Sequence, residues 1–272
     1  MGEVSAACHA GAVRATVGHR QRHARSPHHR GVASFSRHGR ALFLRSRAGR
    51  CIARCARRTV ALRHRHRSRL LGDSLSERYD AAYFDKWYRH PTHRVKTAAE
   101  LARQVSFVLH TAEWVLGRRV RTVLDVGCGE GHWYPALRAL RPRVAYQGVD
   151  PSAYAVRKFG ARRHLQQGGI EDLGRLDLRE QYDLVVCCGM LNYLSIPQLT
   201  SGIAQVAQRT GGMAYLELFT KDDHFEGDTD WPAPKSASWY RGLMKRTGLF
   251  PVGMQCYVSE AEQYRVSSLE RL

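Results

Sequence analysis

The stretch from Val123 to Trp133, VLDVGCGEGHW, is the sequence feature that most restricts the fold. A branched apolar run leads directly into three alternating glycines, Gly127, Gly129 and Gly131. Glycine removes the Cβ that would hold a ligand away, and it permits backbone torsions that other residues avoid. Because ligands of open parallel sheets bind beyond the carboxyl ends of the strands, this pattern predicts a strand that ends at a ligand site.

Apolar runs alternate with helical patterns from residue 122 onward. Runs without period-two alternation are typical of strands covered on both faces, and strand-helix alternation is typical of a doubly wound parallel sheet in an α/β fold. The predicted strands run from Thr122 to Val126, Ala145 to Val149, Leu165 to Gln167, Tyr182 to Cys188 and Met213 to Phe219, with a terminal hairpin from Phe250 to Val258 and Tyr264 to Leu269. The predicted helices run from Trp133 to Leu140, Ser152 to Phe159, Ile196 to Gln208 and Ser236 to Thr247.

Residues 77–117 are predicted to form a helical cap. Apolar residues between Leu101 and Leu116 recur three and four apart and end at Gly117, which is typical of an amphipathic helix with a glycine stop. Ahead of them lies a dense aromatic segment that either covers a ligand or anchors the first helix to the core. Its aromatic residues are Tyr79, Tyr83, Phe84, Trp87 and Tyr88.

Most of the positive charge lies in residues 1–72. This segment holds 17 Arg, no Lys and one acidic residue, so +16 of the formal +19 lies there, and residues 73–272 hold 26 basic against 23 acidic residues. Because the segment lacks sustained apolar periodicity, we predict a disordered leader at 1–72 before one domain at 73–272. Three interpretations of the leader stay open: an organellar transit peptide, a basic arm that binds phosphate backbones, and a non-native extension from an early start codon.

Cysteine usage and hydropathy bear on the compartment. The seven Cys have irregular spacings that do not form a disulfide framework, and no stretch approaches the ~20 apolar residues of a membrane span. We therefore expect a cytoplasmic protein without membrane association. Metal-ligand types occur in the leader, but their His spacing does not match a zinc finger, so we predict no metal site. These residues are Cys51, Cys55, His64 and His66.

Two acids complete the glycine pattern. Asp125 precedes the glycines, and Asp150 ends the next predicted strand in YQGVDPS. Although a lone glycine pattern is weak evidence, this order resembles motif I and its companion acid in class I S-adenosylmethionine (SAM)-dependent methyltransferases, over roughly Tyr79 to Leu272. The resemblance implies a Rossmann-like, mostly parallel seven-stranded sheet with helices on both faces and an antiparallel last strand. It also implies SAM as the cofactor.

The resemblance implies roles at the first two strand ends. Asp150 would accept hydrogen bonds from both ribose hydroxyls. Asp125 and the backbone of Gly127, Cys128 and Gly129 would hold the methionine portion of SAM. For each acid taken alone, a helix cap or a solvated loop carboxylate is the alternative interpretation.

The resemblance also implies roles after the third and fourth strands. In GGIEDL, the acids Glu171 and Asp172 follow the third strand, and Asp172 would meet the adenine amino group while Ile170 or Leu173 packs on the ring. Cys188 would line the path to the reactive methyl group.

Tyr193 and His224 are the candidates for proton transfer. The sequence GMLNYL places Asn192 and Tyr193 after the fourth strand, where this family often has substrate-facing residues. His224 lies in the polar loop FTKDDHFEGDTDWP, and imidazole is a common general base. A solvated surface histidine is the alternative interpretation at position 224.

Missing motifs narrow the acceptor. The chain has CGMLNY from Cys188 to Tyr193 in place of the N/D-P-P-Y/F motif of adenine and glutamine methyltransferases, and it lacks the Pro-Cys pair of cytosine C5 enzymes. We therefore expect a small-molecule acceptor, with nucleic acid a partner only through the basic leader. Two other classes stay open: a nucleic-acid-binding protein that acts through the leader, and a SAM-binding module without transferase activity. Polyamine-forming transferases share the fold, but no acidic motif for a diamine follows the fourth strand.

Overall fold

The computed structural model describes residues 78–224 and 231–269, and all structural statements below concern these residues. The predicted leader and its metal-ligand types, Cys51, Cys55, His64 and His66, lie outside the described residues.

Seven strands form one sheet. They are β1 (Thr122–Val126), β2 (Ala145–Asp150), β3 (Leu165–Gln167), β4 (Tyr182–Cys187), β5 (Thr210–Leu216), β6 (Leu249–Gly253) and β7 (Cys256–Ser259). Their spatial order is β3-β2-β1-β4-β5-β7-β6. The first five strands pair in parallel, whereas β7 is antiparallel to β5 and to β6. The predicted mostly parallel sheet with an antiparallel last strand is therefore confirmed.

Six α-helices accompany the sheet in the described part of the chain. They are α1 (Ala81–Phe84), α2 (Ala98–Leu116), α3 (Trp133–Leu140), α4 (Ala153–Arg163), α5 (Ile196–Arg209) and α6 (Ala237–Arg246). The helix α2 begins at a capping box formed by Thr97 and Glu100 and ends at Gly117, whose φ of 63° is left-handed. A search of the described residues finds no helix with the length and apolar character needed to cross a membrane.

The uninterrupted apolar runs of the strands contribute side chains to two separate hydrophobic cores. Val123 packs with residues of α2 and α3 on one face of the sheet, and its neighbour Leu124 packs with residues of α5 and α6 on the other. Both side chains are completely buried. Because successive side chains of a strand point to opposite faces, a strand between two helical layers needs apolar residues at every position.

Two predicted strand positions differ from the structure. The strand β5 spans Thr210–Leu216 and not Met213 to Phe219, because Gly211 and Gly212 belong to the sheet, where Gly212 packs too closely against the Asp183 backbone for any side chain. The predicted strand from Tyr264 to Leu269 is wrong. The hairpin closes within β6 and β7, through a turn with left-handed Met254 and Gln255, and Glu260–Arg265 form a 3-10 helix.

Candidate functional site

A cavity opens where β1, β2 and β4 end. The strands β2 and β3 follow on one side of β1, whereas β4 and β5 lie on its other side. Such a switch point in strand order leaves a crevice at the carboxyl edge of the sheet. The cavity holds about 780 Å³ of empty space when the open solvent at its mouth is included.

The floor of the cavity is bare backbone. Gly127 and Gly129 line it with positive φ values of 71° and 53°. A Cβ on Gly127 would lie 2.8 Å from Met190 Cβ, and a Cβ on Gly129 would lie 3.0 Å from the Phe84 ring and from the Tyr88 hydroxyl. Both the torsions and the close approach of neighbouring side chains therefore require glycine at these positions.

Asp150 lines the cavity at the end of β2. Its two carboxylate oxygens accept hydrogen bonds from the backbone N–H groups of Gly129 (2.6 Å) and Ser152 (2.9 Å). Burial raises the pKa of Asp150, although these two hydrogen bonds oppose the rise. Because a carboxylate has about four lone-pair sites, both oxygens can accept a further hydrogen bond from a ligand in the cavity.

Asp125 and Cys128 are placed behind the cavity wall. The carboxylate of Asp125 is buried and accepts a hydrogen bond from the Tyr146 hydroxyl at 2.7 Å. Burial raises its pKa to about 7, against the effect of the Tyr146 hydrogen bond and with a contribution from the Asp150 charge. Cys128 is also buried, and neither side chain is among the lining residues. The adjoining glycine backbone, and not these side chains, therefore faces the cavity, and the methionine contacts of Asp125 and Cys128 stay predictions.

The segment after β3 contributes Ile170 and Glu171 to the cavity, but not Asp172 or Leu173. The Asp172 carboxylate turns back to accept the Gly169 N–H at 2.9 Å, and Leu173 is buried in the core. The hydrogen bond of Asp172 in this structure is thus local, and its adenine contact stays a prediction. Glu171 occupies the neighbouring place in the wall.

The residues after β4 separate into two groups. Cys188 and Tyr193 line the cavity, and burial raises the pKa of the Cys188 thiol. Asn192 faces away, since its side-chain amide pairs with both backbone groups of Phe219, at 2.9 Å and 3.0 Å. His224 is exposed and is not among the residues that line the cavity, so the structure does not bring the two predicted proton-transfer residues together.

The aromatic segment before α2 forms the roof of the cavity. Tyr79, Tyr83, Phe84 and Tyr88 line it. Phe84 is also buried and packs against Tyr88 with ring centroids 5.1 Å apart. This segment therefore lines the cavity and is itself held by the buried Phe84, in keeping with both interpretations that the sequence left open.

The buried carboxylate of Glu130, within the glycine motif, fixes the roof. It forms an ion pair with Arg89 of the π-helix Asp85–Arg89 and lies 3.2 Å from His132 Nε2. The roof is thus tied by charge to the floor that it covers.

Sequence analysis missed a polar cluster beside Cys188, formed by Lys96, Gln104, Tyr215 and Glu217. Lys96 Nζ donates to Glu217 Oε1 at 2.8 Å, and Gln104 Nε2 lies 3.2 Å from the same oxygen and 2.9 Å from the Tyr215 hydroxyl. Burial lowers the pKa of Lys96, but its neighbours Cys188 and Glu217 raise it by more, so the pKa is raised overall. The available sequence signal was an acid at 217 within the apolar run MAYLELF.

The residues present fit a nucleoside joined to an amino acid. Asp150 suits a ribose diol, Ile170 gives an apolar surface for a base, and the backbone at Gly127 and Gly129 allows the close approach that the side chains of Met190 and Tyr88 make to it in this structure. SAM combines these three chemical parts, so its fit rests on the site's own geometry.

The central part of the chain is similar to a known protein family. A family model described as "Methyltransferase domain" matches residues 124–212. The tRNA U34 carboxymethyltransferase of Shewanella amazonensis is 37% identical over 122 residues, which are 40% of this chain and 34% of that protein. The chain thus spans about a third of the length of the curated relatives that it matches.

Two solved structures have a detectable likeness to the chain at low sequence identity. DesVI of Streptomyces venezuelae is 15% identical with a TM-score of 0.48, over 59% of this chain and 91% of that chain. SAM-bound CalS10, an amino pentose methyltransferase from Micromonospora echinaspora, is 14% identical with a TM-score of 0.47, over 58% of this chain and 90% of that chain.

Proposed function

We propose that the chain, whose residues 124–212 match a methyltransferase domain model, is a class I enzyme that transfers a methyl group from SAM to a small-molecule acceptor. The observation that carries the proposal is the cavity that joins the Asp150 carboxylate, the glycine floor and the end of β4 under one aromatic roof. These are three neighbouring strand ends at a switch point of the sheet.

The lining residues divide the cavity by chemistry. Asp150 binds the ribose hydroxyls, Ile170 packs on the adenine with Glu171 at its edge, and the backbone of Gly127 and Gly129 faces the amino-acid portion. SAM supplies a methyl group already activated by the positive sulfur. The protein therefore has to orient the acceptor, exclude water and take up a proton where the acceptor carries one.

The end of β4 is assigned to the reactive side of the cavity. Cys188 and Gly189 line the wall there, at the opposite end of the glycine floor from Asp150. Tyr193 follows on the same side and is placed to contact the acceptor. His224, exposed on its loop, has no assigned role in the proposal.

Calorimetry with SAM tests the cofactor site. The full chain should bind SAM and not NAD, and Asp150→Ala should weaken SAM binding by about 1–3 kcal/mol, the cost of removing hydrogen bonds to a charged acceptor. Asp177→Ala is the control, because Asp177 is exposed and lies outside the cavity wall. Equal effects of the two variants, or unchanged affinity in Asp150→Ala, would contradict the proposal.

A tRNA acceptor is the second candidate, because the curated relatives are named for tRNA U34. Against it, residues 73–272 carry nearly balanced charge, and RNA binding depends strongly on basic surfaces. Incubation with methyl-labelled SAM should compare a metabolite extract with total tRNA. Label in small molecules supports the first candidate, label in tRNA supports the second, and tight SAM binding without label in either supports a non-catalytic module.

A further inference from the structure

The polar cluster of Lys96, Gln104, Tyr215 and Glu217 lies directly behind the cavity wall at Cys188 and Gly189, although its own residues are not among those that line the cavity. Glu217 Oε2 accepts a hydrogen bond from the Cys188 thiol at 3.0 Å, and Cys188 lines the cavity. The same oxygen lies 3.7 Å from the position that a Cβ of Gly189 would take. Since Gly189 also lines the cavity and has no side chain, it does not screen Oε2 from the space beside it.

The two carboxylate oxygens of Glu217 have different surroundings. Oε1 is held by Lys96 and Gln104, at 2.8 Å and 3.2 Å. Among the described residues, Oε2 accepts a hydrogen bond from the Cys188 thiol alone, and a thiol is a weak donor. The carboxylate is thus fixed through one oxygen while the other keeps lone pairs toward the end of β4.

We infer that Glu217 is a catalytic residue that accepts the proton of a hydroxyl acceptor, with Lys96 and Gln104 as positioning residues. This inference rests on the proposed function and names its acceptor class. The acceptor oxygen forms a bond to the methyl carbon, the bond from that carbon to sulfur breaks with its electron pair left on sulfur, and the hydroxyl proton passes to Glu217 Oε2. The charges balance, since a cationic sulfur and a carboxylate become a neutral thioether and a carboxylic acid.

A carboxylate paired with an ammonium group suits a hydroxyl acceptor. It is a weak base, which cannot deprotonate an alkylammonium ion before the reaction. A hydroxyl group instead becomes strongly acidic as its oxygen bonds to carbon, so a weak base in contact is sufficient. An acceptor that is itself a carboxylate needs no base, and Glu217 would repel it.

A binding experiment tests the placement of the pair without any acceptor. A base in contact with the acceptor also lies near the positive sulfur, so SAM should sense the charges of Glu217 and Lys96, whereas neutral S-adenosylhomocysteine should not. We expect Glu217→Gln to lower the ratio of SAM to S-adenosylhomocysteine affinity by about tenfold, and Lys96→Met to raise it. S-adenosylhomocysteine affinity should stay within about twofold, on the same electrostatic argument.

Glu113→Gln is the matched control. Glu113 has a side-chain exposure of 14% against 13% for Glu217, and it also forms an ion pair, with Arg141, but its hydrogen-bond partners Val120 and Arg141 do not line the cavity, whereas Cys188, the partner of Glu217, does. It should leave the affinity ratio unchanged. An unchanged ratio in Glu217→Gln, or equal loss of both ligands in Glu217→Gln and Lys96→Met, would overturn the inference. A wild-type protein that binds neither ligand would instead refute the proposed function.

Turnover gives the second readout. With methyl-labelled SAM and a set of hydroxyl-bearing and amine-bearing metabolites, the wild type should label hydroxyl groups. Glu217→Gln should then lower kcat by about 100-fold or more, with little change in KM for SAM. A kcat within threefold of the wild type, or label confined to amines, would overturn the assignment.

Discussion

Asp125 and Asp150 end adjacent strands, yet their carboxylates have different tasks. Asp150 faces the cavity and is held by two N–H donors. Asp125 is enclosed by protein and held by one tyrosine hydroxyl, and burial raises its pKa to about 7. A buried carboxylate with one hydrogen bond and no cation destabilises the folded state when it ionises.

Asp125→Asn should stabilise the ligand-free protein at pH 8. Because the folded-state pKa is raised, the wild type loses stability as the pH rises from about 4, the unfolded value, to about 7, and the full penalty is about 4 kcal/mol at most. The asparagine oxygen still accepts from Tyr146. Urea unfolding at several pH values should show the gain at pH 8 and its disappearance near pH 4.

Asp183→Asn is the control of opposite sign. Burial alone would raise the pKa of Asp183, but donors from Arg118, Arg121 and Thr122 outweigh it and lower the pKa. Its stabilising effect is therefore present above the unfolded value and is lost as the pH falls through the folded value. This variant should be less stable than the wild type at pH 8. If both variants shifted stability in the same direction at pH 8, the assigned environments would be incorrect.

Gly212→Ala should destabilise the fold by about 2–4 kcal/mol, because an added Cβ would collide with the backbone of Asp183 on β4. Gly242→Ala provides a comparison inside α6, where the nearest atom is the flexible end of Arg246 at 3.2 Å. There alanine should be neutral or stabilising by up to about 1 kcal/mol. If both variants lost the same stability in chemical denaturation, the collision between β5 and β4 would not be the cause of the loss in Gly212→Ala.

At the scale of elements, the roof depends on one ion pair between distant segments. Arg89 comes from the π-helix before α2, and Glu130 comes from the glycine loop after β1. Tyr88, next to Arg89, lies over Gly129. If the amino-acid part of SAM lay against Gly129 as proposed, the Tyr88 ring would therefore have to move. Burial of its hydroxyl end also raises the pKa of Tyr88.

Arg89→Met should loosen the roof. Glu130 would keep His132 but lose its guanidinium partner, at an expected cost of about 1–2 kcal/mol because the Arg89 side chain is itself partly exposed. Hydrogen exchange should become faster in residues 81–89, while β1 to β5 keep their protection. Asp85→Asn removes only the exposed partner of Arg89 and should leave the exchange nearly unchanged; an equal change in both variants would argue against the tie to Glu130.

At the scale of the whole molecule, most of the net charge lies outside the described residues. Residues 1–72 carry +16, whereas the cavity-lining residues within the described ranges are at position 79 or later. Cofactor binding and any affinity for polyanions are therefore expected to depend on different parts of the chain.

Removal of residues 1–72 should leave SAM affinity within about twofold and abolish salt-dependent binding to RNA, because phosphate contacts and counterion release require clustered basic residues. Calorimetry and filter binding at 50 and 200 mM salt, the range over which such contacts weaken strongly, would measure the two effects. RNA binding that persists without the leader would indicate a basic surface on the domain and would favour the tRNA acceptor.

Local patterns predicted the elements whose residues determine their own conformation. The strand β1 and the helix α3 have the predicted bounds, since an apolar run, three glycines and a 3.6-residue period lie within one short stretch. The start of β5 was missed because Gly211 and Gly212 have low strand propensity. Their place depends on close packing against β4, which is a tertiary effect.

Sequence by itself determined the sheet, the glycine floor and the acid at the end of β2, because the order of strand ends fixes which loops meet at one edge of a parallel sheet. Only the tertiary structure decided which carboxylates face the cavity. Asp172 turned to its own backbone, Asp125 to Tyr146, and Glu217 joined Lys96, 121 residues away in sequence. A side chain's direction depends on the partners that packing brings near, and no local pattern encodes those partners.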